Sequence, residues 1–119
     1  NKHLIGWQSD VRAYWDHLQS LSKTIASGLA VSLELQEDYF SSALTHPCAQ
    51  MVMLRYTPSV HALGEGAVGC GEHTDCGFLT ILAQDDVPGL EVKHADGRWL
   101  PANRVPDAFI VNLGDMAER

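Results

Sequence analysis

Gly71-Glu72-His73-Thr74-Asp75-Cys76-Gly77 runs into Phe78-Leu79-Thr80-Ile81-Leu82-Ala83, and this stretch decides the fold. Apolar and β-branched residues dominate its second half, which reads as a strand over residues 78–83. Gly77 separates that strand from a shorter extended piece over residues 72–75. Successive side chains of an extended chain leave on opposite faces, so His73 and Asp75 are expected to project together. Downstream, residues 84–89 form a turn and residues 90–93 a strand. Asp96-Gly97 is a two-residue hairpin signal leading into a strand at Arg98-Trp99-Leu100. Residues 101–107 read as a loop and residues 108–113 as a strand. Upstream, residues 50–56 are a further strand candidate, joined to the motif by a glycine-rich loop over residues 57–71. Six short strands separated by turns predict a sandwich or jelly roll rather than alternating βαβ units.

The first third has a different texture. Ser9 or Asp10 can cap a helix. Val11, Tyr14, Trp15, Leu18, Leu21, Ile25 and Leu29 then recur at steps of three and four, one apolar stripe on a helix of about five turns. Gly28 weakens its far end by about 1 kcal/mol relative to Ala. A second short helix is expected over residues 36–44, stopped by His46-Pro47. The chain thus divides into a helical segment, 1–47, and a β segment, 48–119.

Composition narrows the function classes. A chain of 119 residues suits one domain, and 45% hydrophobic residues is ordinary for a globular protein. The formal charge of −7, with 15 acidic residues against 8 basic, argues against a nucleic-acid partner. A small anionic substrate stays open, because one well-placed Arg can bind it. No apolar run approaches the ~20 residues of a membrane span, and Asn1 to Gly6 carry no secretory pattern. Cys48, Cys70 and Cys76 are odd in number and suit a reducing, cytoplasmic setting.

An imidazole and a carboxylate on one face are two arms of the triad that holds Fe(II) in non-haem oxygenases. Three protein ligands on one side of the metal leave room for a bidentate co-substrate and O2. His-x-Asp alone is weak evidence, since roughly half a match arises by chance in this composition. His94-Ala95-Asp96 is a second match, but turn chemistry at Asp96-Gly97 accounts for it. Cys70, His73, Asp75 and Cys76 also suggest zinc. Strand alternation opposes this, because it puts residues 70 and 76 on the face away from 73 and 75; both cysteines then read as small packing residues.

Several blocks together resemble the isopenicillin N synthase-like branch of the 2-oxoglutarate/Fe(II)-dependent oxygenases. They are Leu54-Arg55-Tyr56-Thr57-Pro58, the stretch Gly71 to Leu82, Ala83-Gln84-Asp85-Asp86-Val87-Pro88-Gly89-Leu90-Glu91-Val92, Asp96-Gly97-Arg98-Trp99, and Val111-Asn112-Leu113-Gly114-Asp115. The resemblance implies a mainly β fold with N-terminal helices: a double-stranded β-helix, or jelly roll, incomplete at its C-terminus. Residues 1–47 would pack on the barrel and residues 48–119 would form part of it. His73 and Asp75 would be iron ligands. Tyr56 matches a strand tyrosine that contacts 2-oxoglutarate or substrate in relatives, with a core tyrosine as the equal alternative. Arg55 points the other way and takes no substrate role. Phe78 and Leu82 could wall the pocket, although core packing suits them better. The implied cofactors are Fe(II), 2-oxoglutarate and O2, with ascorbate as a further candidate.

The family pattern has a second His and then an Arg-x-Ser that grips 2-oxoglutarate, and neither follows Asp75 here. The expectation is therefore a fragment whose third ligand lies outside the chain and which alone does not turn over 2-oxoglutarate. The expected whole enzyme oxidises a C–H bond of a small molecule while decarboxylating 2-oxoglutarate to succinate. Two alternatives stand beside it: a non-catalytic jelly-roll relic or binding module, and an oxidase of the isopenicillin N synthase type that does without 2-oxoglutarate.

Overall fold

The computed structural model describes residues 4–56 and 69–118, in two compact units, Asn1–His73 and Thr74–Arg119. The boundary falls inside the His-x-Asp motif. Among the described residues there are one long α-helix, four short β-strands and a closing 3-10 turn.

In the first unit, α1 spans Trp7–Ser32, 26 residues and about seven turns. It starts earlier than the capping residues suggest. Gly6 is the N-cap, in a left-handed conformation with no side-chain cap, and Ser9 Oγ donates instead to Gly6 O at 2.6 Å. The apolar stripe is real: Val11, Trp15, Leu18, Leu21, Ile25 and Leu29 are half-buried, whereas Tyr14 is exposed. The deepest positions are the small ones, Ala26 and Ala30. Gly28 does not end the helix, which runs on to Ser32. No helix among the described residues is long and apolar enough to cross a membrane.

The expected second helix is not regular. Residues 37–44 form consecutive turns, closed by Tyr39 N–H to Gln36 O at 3.0 Å and Ser41 N–H to Asp38 O at 2.8 Å. These bonds span three residues and only one, Leu44 N–H to Phe40 O, spans four, so no α-helical ladder develops. Residues 50–56 are not a strand either. Of the loop predicted over 57–71, residues 57–68 lie outside the described residues.

The second unit holds the strands: β1 (Leu79–Leu82), β2 (Glu91–Lys93), β3 (Trp99–Pro101) and β4 (Ile110–Leu113). β1 pairs antiparallel with β4 in the register Leu79↔Leu113 to Leu82↔Ile110. β2 pairs antiparallel with β3, Lys93 opposite Trp99. The inner hairpin is nested within the outer pair, the first strand meeting the fourth and the second the third. Gln84 Nε2 donates to Ala102 O at 3.2 Å, and Arg104 bonds Asp86.

The hairpin sits where Asp96-Gly97 places it, but its loop has three residues rather than two. His94 N–H donates to Arg98 O at 2.8 Å, and Gly97 N–H donates to His94 O at 2.9 Å. Gly97 has φ +87°, so a tight turn is followed by a left-handed residue, the geometry for which glycine is the cheapest choice.

The segment 72–75, expected as a strand, is not one: it has a bend at Glu72 and no ladder pairing. Strand character is completed by a neighbouring strand, and among the described residues none pairs there or along 50–56.

Candidate metal centre

Asp75 is the better-fixed half of the motif. Its backbone carbonyl accepts the Asp115 N–H at 2.7 Å, and its Oδ2 accepts from Asn112 Nδ2 at 2.9 Å. Both partners come from the end of β4 and the 3-10 turn Asp115–Glu118 that follows. The same joint is tied by Gly114 N–H to Phe78 O at 3.1 Å, Met116 N–H to Gly77 O at 3.2 Å, and Thr74 Oγ1 to Asp115 Oδ2 at 3.2 Å. The β1–β4 pairing thus extends outward until it reaches the aspartate.

Close approach at this joint requires a residue without a side chain. Gly114 is buried, and a Cβ placed on it would lie 2.6 Å from Asp75 O and overlap Gly77 O. Only glycine lets the chain lie against the backbone that carries Asp75.

His73 belongs to the other unit and is exposed. Its Nδ1 is 2.8 Å from Gly71 O. A carbonyl oxygen only accepts, so Nδ1 carries the proton, and in the neutral ring the lone pair lies on Nε2. A backbone carbonyl on one ring nitrogen is the usual way a metal-binding histidine is oriented through the other. The Cys70 Sγ lies 3.6 Å from the same Nδ1. This corrects the alternation argument against zinc: without a strand at 72–75, Cys70 is not turned away from His73. Even so, among the described residues no group of three or more His, Cys, Asp or Glu is placed to hold a metal ion.

The two motif residues fit Fe(II) chemically. One offers an imidazole nitrogen with its tautomer fixed, the other a carboxylate with one oxygen oriented by a neutral amide.

Tyr56 lies in the first unit and is exposed; its ring covers Gly69, where an added Cβ would meet Cδ1 at 2.7 Å. Phe78 and Leu82 are half-buried, and Leu82 borders a recess of about 50 Å³ with Phe109 and Ile110. The decoy His94-Ala95-Asp96 is occupied by local bonds. Asp96 accepts Arg98 Nε at 2.8 Å and Arg98 N–H at 3.0 Å, and its own N–H reaches His94 Nδ1 at 3.3 Å. The Arg98 side chain first, then its backbone N–H, holds the Asp96 carboxyl below its ordinary value.

Reading the sequence by motif passed over Asn112 and Gly114 as parts of the site. The available signal was Asn112 itself, one polar side chain inside the strand Ile110-Val111-Asn112-Leu113, opposite the polar Thr80 of β1.

The 2OG-Fe(II) oxygenase superfamily matches residues 48–119. The chain is 35% identical to the 2-oxoglutarate-dependent dioxygenase ecdK of Aspergillus rugulosus, over 98% of this chain and 36% of that protein. It is 32% identical to a 1-aminocyclopropane-1-carboxylate oxidase of Dictyostelium mucoroides, over 96% of this chain and 39% of that one. The chain therefore spans little more than a third of the curated relatives it matches. In structure it resembles a C-terminally truncated Neurospora crassa protein solved in apo form, with a TM-score of 0.75 and 25% identity, over 98% of this chain and 42% of that one.

Proposed function

This chain belongs to the 2OG-Fe(II) oxygenase superfamily, and from that premise we propose that His73 and Asp75 are two of three iron ligands in a 2-oxoglutarate-dependent dioxygenase acting on a small molecule. The supporting observation is the anchoring of Asp75, whose carbonyl and carboxylate are both held from the end of β4. That anchoring sets a carboxylate in a defined orientation before any cation arrives. The nested pairing of β1 with β4 around β2 and β3 supports a double-stranded β-helix, whose ribbon winds in this way.

In the whole enzyme, Fe(II) bound to these residues would supply the oxidising chemistry, with 2-oxoglutarate as the second reductant. The balance is one C–H substrate, one O2 and one 2-oxoglutarate giving the hydroxylated product, succinate and CO2. The protein's own tasks are orientation and exclusion of water. His73 presents Nε2 because Gly71 O holds Nδ1–H, and Asp75 presents its carboxylate because Asn112 holds Oδ2. The third ligand and the group that binds the far carboxylate of 2-oxoglutarate belong to the rest of the protein, as does the setting of Tyr56 against co-substrate or substrate. Cytoplasmic placement and a small-molecule substrate, rather than a nucleic acid or membrane, complete the reading.

The test is succinate formation by the full-length protein with Fe(II), 2-oxoglutarate and a panel of small molecules. Succinate is expected from the native protein and not from His73→Ala, Asp75→Ala, or residues 1–119 alone. Fe(II)-dependent succinate from either variant would refute the ligand assignment. O2 uptake unaffected by omitting 2-oxoglutarate would favour the oxidase alternative.

A further inference from the structure

Asn112 lies in β4 with apolar neighbours on both sides, and a threonine faces it across the ladder. Its Nδ2 reaches Asp75 Oδ2 at 2.9 Å, a contact across 37 positions of sequence, and lies at a longer 3.4 Å from Leu113 O. Three residues on, the Asp115 N–H holds the Asp75 carbonyl at 2.7 Å. The backbone bond fixes where Asp75 starts, and the amide fixes where its carboxylate ends. Both are set by one rigid register, Thr80↔Asn112, and by the close approach of Gly114.

The chemistry of the donor matters. A neutral amide orients a carboxylate without itself neutralising it. A lysine or arginine in its place would compete with the metal. An amide also reduces the rotamer freedom that Asp75 would lose on metal binding. Outer-shell donors of this kind typically change metal affinity by about 10–100-fold.

We propose that Asn112 is a positioning residue for Asp75, holding its carboxylate in the orientation that receives Fe(II). The inference rests on the iron-ligand reading above and adds to it a residue with no metal-binding motif of its own. Asn112 does not touch the metal; it acts through Asp75.

The experiment uses the full-length protein, binding Fe(II) anaerobically and Co(II) as a spectroscopic probe. Asn112→Ala removes the donor, and Asn112→Leu removes it while keeping a branched side chain suited to a strand. Thr80→Ala perturbs the same rung of the ladder without touching Asp75. The expected result is about 10–100-fold weaker Fe(II) binding in both Asn112 variants, with altered Co(II) absorption bands. Melting of the metal-free protein should be unchanged, and Thr80→Ala should bind as the native protein does. Affinities within about twofold of native in both Asn112 variants, well below the outer-shell range, would overturn the inference. So would affinity lost only in step with the melting temperature, since that marks a merely structural residue. If the native protein fails to bind Fe(II), or binds it equally well as His73→Ala, the iron-ligand reading itself falls and this inference falls with it; normal native binding beside unaffected Asn112 variants removes only the inference.

Discussion

At the scale of single residues, the organisation around Asp75 follows from contact distances. The most restrictive residue is Gly114, because its backbone lies where a methyl group would meet Asp75 O at 2.6 Å. Gly114→Ala should force the joint apart and cost about 1–3 kcal/mol, the usual penalty for overpacking a close contact. Thermal melting of the full-length protein checks the stability loss, and Fe(II) titration should show weaker binding in parallel. Unchanged melting and binding would mean that the close approach carries no function. His73 and Asp75 were legible in sequence because an imidazole and a carboxylate two residues apart have a recognisable chemistry. Asn112 was not, because its role depends on a partner 37 positions away. Its place as a lone polar residue in an apolar strand marks it as unusual without naming that partner.

At the scale of elements, the dividing line between what the sequence disclosed and what it did not is pairing. Residues 79–82, 91–93, 99–101 and 110–113 form strands, and each has its partner within the second unit. Residues 50–56 and 72–75 are also expected as strands but have no strand partner among the described residues. Composition reports what can be a strand, whereas the ladder decides what is one. The helix was legible by periodicity, which needs no partner, but its ends were not. Ser9 and Asp10 suit a cap by chemistry, yet the chain turns at Gly6. Gly28 offers a test at this scale: it lies inside α1, and an added Cβ would meet nothing within 4 Å. Gly28→Ala should therefore stabilise the helix by about 0.5–1 kcal/mol and raise the melting temperature. A lower melting temperature would show that this helix face packs against a partner elsewhere in the protein.

At the scale of the whole molecule, the described chain has few fully buried apolar side chains. Ala26 and Ala30 are the buried hydrophobic residues, whereas Val52 and Leu54, in a segment with strand character, are 60% and 71% exposed. Such faces suit a chain that spans little more than a third of its relatives. The two halves of the His-x-Asp motif fall in different compact units. Within each unit, a local bond orients one proposed ligand, His73 through Nδ1 on Gly71 O and Asp75 through Oδ2 on Asn112 Nδ2. Anaerobic Fe(II) titration of the full-length protein against its His73→Ala and Asp75→Ala variants addresses the central claim most directly. One Fe(II) per native chain is expected, with each variant weakened by more than the about 100-fold upper range of outer-shell losses; native-like binding by either variant would contradict the account.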